Sequence, residues 1–219
     1  MPETSPRRPG AVASLRPRGA LPDYLRADIV PVVPAMIAGW GLAGMYLSLG
    51  PSVAAGLLEL HNRLIGGVVV MLLAGTGAIA IALLRSRPAP SLLAPSSALL
   101  GLGTLVSLAG TTWNLAWLAA VGTVVAGFGF GSSVLATFGT FARLARPHER
   151  SAIFALANII GYLENSVPAV LGGIAVTTLG LTTATKIYAL AIAVLTFTAL
   201  VLRLNQTRTQ RRTGVTSSR

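Results

Sequence analysis

The chain has no cysteine, so disulfides, thiolate nucleophiles and sulfur-ligated metal centres are all excluded. Histidine is nearly as scarce. His61 and His148 are the only two, too few for a histidine-built metal site, and no cofactor is expected. Acidic residues number 6 against 17 Lys and Arg, and all charged residues together make up 11% of the chain. A soluble domain carries about 25%. Apolar residues fill the gap, at 53% of the chain with a mean hydropathy of +0.71. Lipid rather than water is therefore the expected solvent. The net charge of +11 could suggest nucleic acid. The arginines, however, sit in the tails and in short connections between apolar runs, where they serve as topological anchors, so no nucleic-acid partner is expected.

Alternating apolar and polar segments are also absent. A membrane β-barrel would need them at about ten residues each. Instead there are six apolar runs, at residues 29–50, 64–84, 92–110, 115–142, 151–178 and 184–204. About 20 helical residues at 1.5 Å rise cross a ~30 Å hydrocarbon core. Backbone polar groups in lipid must be satisfied within their own segment, so each run reads as an α-helix. The predicted fold is all-α and polytopic: a six-helix transmembrane domain over 29–204 between basic tails at 1–28 and 205–219. The first run follows a long polar stretch and exceeds a signal-peptide core, so it is expected to be a span. The C-terminal tail reads as disordered.

Charge sets the expected orientation. With both termini inside, the inner side holds Arg7, Arg8, Arg16, Arg18, Arg26, Arg85, Arg87, Arg143, Arg146, Arg150, Arg203, Arg208, Arg211, Arg212 and Arg219. The outer side holds only Arg63 and Lys186. The positive-inside rule then gives cytoplasmic termini and an even number of spans.

One acidic residue lies inside a run. In "NIIGYLENSVPAV" (158–170), Glu164 occupies the middle third of the fifth span. On a helical wheel, Ala157, Asn158, Gly161, Asn165, Pro168 and Gly172 form a small, polar arc with Glu164 at its edge. The large apolar residues fill the opposite arc. Pro168 lacks the N–H that would bond the Glu164 carbonyl, so a helix kink is expected there. An ionised carboxylate at mid-membrane costs about 2.5–3.5 kcal/mol on insertion scales. Such a carboxyl can load and release a proton as access alternates, pair with a cationic solute, or donate a structural hydrogen bond while protonated. Asn158 and Asn165 are further candidates for lining a path, or for bonding between helices. Tyr46, Trp40 and Tyr162 could stack on a ligand or simply pack. Trp113 and Trp117 read as interface anchors. Glu59, His61 and Arg63 read as a solvated outer loop. The glycines of "GFGFGSS" (127–133) read as close helix packing, with space beside a solute path as the alternative.

No catalytic residue is expected. Six-helix intramembrane serine proteases use Gly-x-Ser-Gly and a histidine within a span. Here Ser133 is not followed by glycine, and neither histidine lies in a run. A serine without a base in reach is not an activated nucleophile.

Three stretches resemble a known family. "IAGWGLAGMYLSLGPSV" (37–53) resembles the seventh helix of bacterial major facilitator superfamily transporters, especially drug-exporter-like members. "GFGFGSSVLATFGTFARLARPHERSAIFALANIIGYLENSVPAVLGG" (127–173) resembles helices ten and eleven. "LRPRGALPDYLR" (15–26) resembles the end of their central cytoplasmic loop. The resemblance covers about residues 15–204 and implies a multi-pass protein of the bacterial inner membrane. It implies transmembrane transport of a small organic solute by alternating access; that Glu164 couples protons is expected from the physical argument above alone. Full members have twelve helices around a midplane cavity, and this sequence supplies the second six. Glu164 matches no general motif of the family. Pairing with a second half-transporter, a homodimer, or a truncated or non-transporting chain that assembles with partner helices are the readings that follow.

Overall fold

The computed structural model describes residues 30, 32–59, 63–144 and 150–216, with the backbone alone at 63, 150–157 and 208–216. Every regular element among them is a helix: α1 (Val32–Ser48), α2 (Gly50–Gly56), α3 (Arg63–Leu84), α4 (Ala89–Thr112), α5 (Ala116–Leu144), α6 (Arg150–Leu179) and α7 (Leu181–Thr216). Five are long and apolar enough to cross a membrane, and α1 with α2 makes a sixth crossing if the bent pair is one span. The described residues are thus all-helical, with five or six helices long and apolar enough to span a membrane, as in a multi-pass membrane protein. The basic N-terminal tail, His61, His148 and the connection at 145–149 lie outside the described residues.

Two boundaries differ from the sequence expectation. The first run does not stop near residue 50. It continues as α2, turned by 54° at a break between Ser48 and Gly50. Pro51 is the cause, since it has no N–H for the carbonyl of Leu47 and its ring crowds that turn. Leu49 bridges the break by donating to the Met45 carbonyl (2.7 Å) and accepting from Val53 (2.8 Å). The last helix also outruns its apolar segment. It continues to Thr216 through sequence read as a disordered tail. Near its exit, Arg203 bonds the Pro90 carbonyl at 3.0 Å and Gln206 at 3.3 Å.

Small residues set the packing. The bundle has no hydrophobic driving force between helices in lipid, so close backbone approach must do much of the work. On α4, Gly103 and Gly110 face Ala126 and Ala119 of α5. In return Gly122 and Gly129 of α5 face Ser107 and Leu100 of α4. The contact numbers fall along one chain as they rise along the other, so α4 and α5 are antiparallel. The three glycines of "GFGFG" divide the labour. Gly127 and Gly131, one turn apart, receive Leu73, Thr76 and Gly77 of α3, whereas Gly129 receives α4. Among the five unbroken spans α5 is in consequence the most buried, at 50%, against 11% for α6. The core itself is layered. Leu42, Tyr46, Leu100, Ala126 and Ile192 form its middle cluster, and Val32, Met36, Leu93 and Phe141 fill the end near the termini.

Candidate functional site

α6 packs chiefly on α1, with its chain direction parallel. Gly161 meets Trp40, Asn165 meets Gly44, and Gly172 meets Leu49 and Tyr188. Gly161, Asn165, Pro168 and Gly172 of the small arc are thus turned to the bundle, whereas Asn158 is exposed. Ile159, Leu163, Val167, Val170, Leu171 and Ile174 are exposed on the other side. The arc, small and polar, calls for a facing helix surface rather than lipid. The structure supplies one from α1 and α7 of the same chain.

Glu164 sits at the edge of this contact. It is half-buried, its Oε2 is fully buried, and that atom has no hydrogen-bond partner among the described residues. The adjacent Asn165 Oδ1 is in the same condition. Gly44 is what allows this: a Cβ there would lie 2.6 Å from both the carbonyl and the Oδ1 of Asn165. Helix α1 therefore presents a bare backbone to two buried polar oxygens. Unpaired buried acceptors are uncommon, and each costs about 1–3 kcal/mol in lost hydration. Pro168 stands four residues on, half-buried, and α6 runs through it without a break.

The other candidates go elsewhere. Asn158 is exposed on α6, in line with exposed Tyr162 and Ser166 at four-residue steps. Trp40 is committed to packing, 3.4 Å from a Cβ position at Gly161 and edge-on to the Phe130 ring at 5.9 Å. Trp113 and Trp117 are 68% and 66% exposed beside the α4–α5 turn, where interface anchors belong. Glu59 is exposed with φ 54 in the connection after α2.

Tyr46 is not a neighbour of Glu164. Two residues beyond Gly44, it points to the opposite side of α1 and into the bundle. Its hydroxyl lies 2.8 Å from Thr123 Oγ1 and 3.1 Å from Ser107 Oγ. These residues line a cavity of about 270 Å³ between α1, α2, α3, α4, α5 and α7, at the end of the bundle that carries α2. No residue of α6 lines it. Nothing in the residue pattern points to this triad, because serine and threonine inside apolar spans usually bond their own helix.

The arrangement can therefore do two separate things. At the α1–α6 contact, a carboxyl and a carboxamide oxygen await a donor, a proton or a cation. In the cavity, a hydroxyl cluster faces apolar space. Among the described residues no group of acidic and histidine side chains could hold a metal ion. Comparison with protein-family models, with curated proteins and with solved structures returns no match.

Proposed function

We propose that this protein is a transporter of the major facilitator type, moving a small organic solute across the bacterial inner membrane by alternating access. Both termini lie in the cytoplasm, and Glu164 couples proton movement to the transport step. The observation that carries this reading is the buried, unbonded Oε2 of Glu164 beside the unbonded Oδ1 of Asn165, at mid-span and between two helices. Ionisable groups in spans mark ion and substrate routes far more often than they mark structure. The 54° break between α1 and α2 supports the reading, because discontinuous helices line transporter sites.

Proton coupling asks only that the carboxyl exchange its proton with each side in turn. Glu164 is half-buried at the edge of the α1–α6 contact, so a small change in how α6 sits on α1 would alter which water reaches it. Asn165 contributes a neutral acceptor one residue away. A cationic solute could use the same pair of oxygens.

The test is transport in proteoliposomes with an imposed pH gradient, using ethidium, labelled glucose and labelled proline as probes. Wild-type protein is expected to accumulate at least one of them above protein-free vesicles. Glu164→Gln, inserted in equal amount, should abolish the gradient-driven component. Equal accumulation by the two proteins would remove proton coupling. Absence of flux for every probe would leave the second reading, an assembly protein. That reading is favoured by the exposed Asn158–Tyr162–Ser166 line, since polar groups at such a place suit a partner helix better than lipid.

A further inference from the structure

The cavity lined by Tyr46 has a definite hydrogen-bonding sense. Thr123 carries one hydroxyl hydrogen and donates it to the Ala119 carbonyl at 2.9 Å. Tyr46 must then donate to Thr123, and with its own hydrogen spent it must accept from Ser107. This is the one assignment that makes all three contacts hydrogen bonds. Three more hydroxyls line the cavity, and each donates to its own helix: Thr104 to Leu100 (2.7 Å), Thr111 to Leu108 (2.8 Å) and Thr185 to Leu181 (2.8 Å). Every hydroxyl hydrogen in the wall is therefore committed. What remains for a guest is lone pairs, set in an otherwise apolar surface without a single charged side chain.

Size and access follow from the same walls. An apolar cavity of about 150 Å³ holds benzene. At about 270 Å³, this one suits two fused rings. It opens sideways. Val68 of α3 and Ala120 of α5 line it and are themselves exposed, and the close glycine contacts of these two helices, Leu73 with Gly127 and Gly77 with Gly131, lie further along. The exposed Val68 and Ala120 mark its gateway on the side facing the lipid.

We propose that this cavity is a binding site for an uncharged, largely apolar small molecule of about bicyclic size carrying one hydrogen-bond donor, taken up from the bilayer. An anion would meet only acceptors. A cation would lose its hydration with no carboxylate to replace it. A plain acyl chain would leave the lone pairs of Ser107 and Tyr46 unused. The site shares no residue with the Glu164 contact and does not rest on the transport reading.

The experiment is equilibrium dialysis of labelled 2-naphthol against the full chain in liposomes, with protein-free liposomes subtracted. 2-Methoxynaphthalene, which has the same rings and no donor, is the comparison ligand. Saturable binding of one 2-naphthol per chain is expected, about fivefold tighter than 2-methoxynaphthalene, the effect of one hydrogen bond to a buried acceptor. Ala54→Leu and Ala189→Leu, made singly, put added carbons into the cavity and should each abolish binding. Linear uptake matching the lipid alone, or equal affinities for the two ligands, would overturn the proposal. So would undiminished binding to a folded Ala54→Leu protein. If both filled variants fail to fold, the comparison of ligands on the wild type decides by itself. Neither flux nor Glu164 enters this measurement, so its failure and that of the transport reading are separate results.

Discussion

At the scale of the residue, the informative atoms are the two side-chain oxygens on α6 that bond nothing among the described residues. An Asn side chain can be replaced by Leu with little change in shape. Asn165→Leu removes a buried acceptor that has lost its hydration and gained no partner among the described residues. The variant should therefore be more stable than wild type by about 1 kcal/mol, a rise of about 2–4 °C in melting temperature in detergent for a chain of this size. It should also transport less, since sites built for function often hold groups that stability alone would discard. A fall in melting temperature would mean that Asn165 Oδ1 is already engaged and would weaken the site. Sequence alone located Glu164 and Asn165, because a carboxyl in the middle of an apolar run is conspicuous. It could not place Tyr46. Which way a tyrosine on α1 turns depends on Gly44 two residues earlier docking against α6, and no local pattern carries that.

At the scale of the element, spans were legible and their interruptions were not. Apolar length alone found all six runs, and the observed long helices begin and end within a few residues of them in most cases. The miss at Leu49 came from bounding the first run by apolar length, whereas Leu49 and Val53 carry backbone bonding across the turn. The miss at the C-terminus came from reading polarity as disorder. A run such as "RLNQTRTQRR" has reasonable helix formers and simply extends α7 out of the apolar region. Glycine was legible as packing in kind but not in partner. The pairing of α4 with α5 gives a sharp test. A Cβ at Gly122 would collide with the backbone of Ser107, which cannot step aside, whereas a Cβ at Gly67 meets no atom within 4 Å. Gly122→Ala should then destabilise by about 1–3 kcal/mol through overpacking. Gly67→Ala should stabilise by up to about 1 kcal/mol, the ordinary preference of a helix for alanine. Melting temperatures that move in the same direction for both variants would show that the α4–α5 contact is not as close as described.

At the scale of the whole molecule, the open matter is which way the bundle sits in the membrane. The helix directions are settled by side-chain contacts: α4 runs against α5, and α6 runs with α1. The turn after α3, holding Arg85 and Arg87, therefore lies at one end of the bundle. The α4–α5 turn, flanked by Trp113 and Trp117, lies at the other. Positive charge is retained on the side where insertion begins, so under the proposed orientation the arginine end is the cytoplasmic one. That assignment also decides where the cavity opens, because its gateway between Val68 and Ala120 is at the α2 end and would meet the outer leaflet. The lack of native cysteine makes the matter directly measurable. Ser86→Cys and Thr112→Cys each place one thiol at an exposed position, at opposite ends of the bundle. A membrane-impermeant maleimide added to intact cells should label the Thr112→Cys protein and spare the Ser86→Cys protein until the cells are lysed. The reverse pattern would place both termini outside. It would turn the cavity toward the cytoplasmic leaflet and leave fifteen of the seventeen cationic side chains on the wrong face of the membrane, against the force that the rule describes.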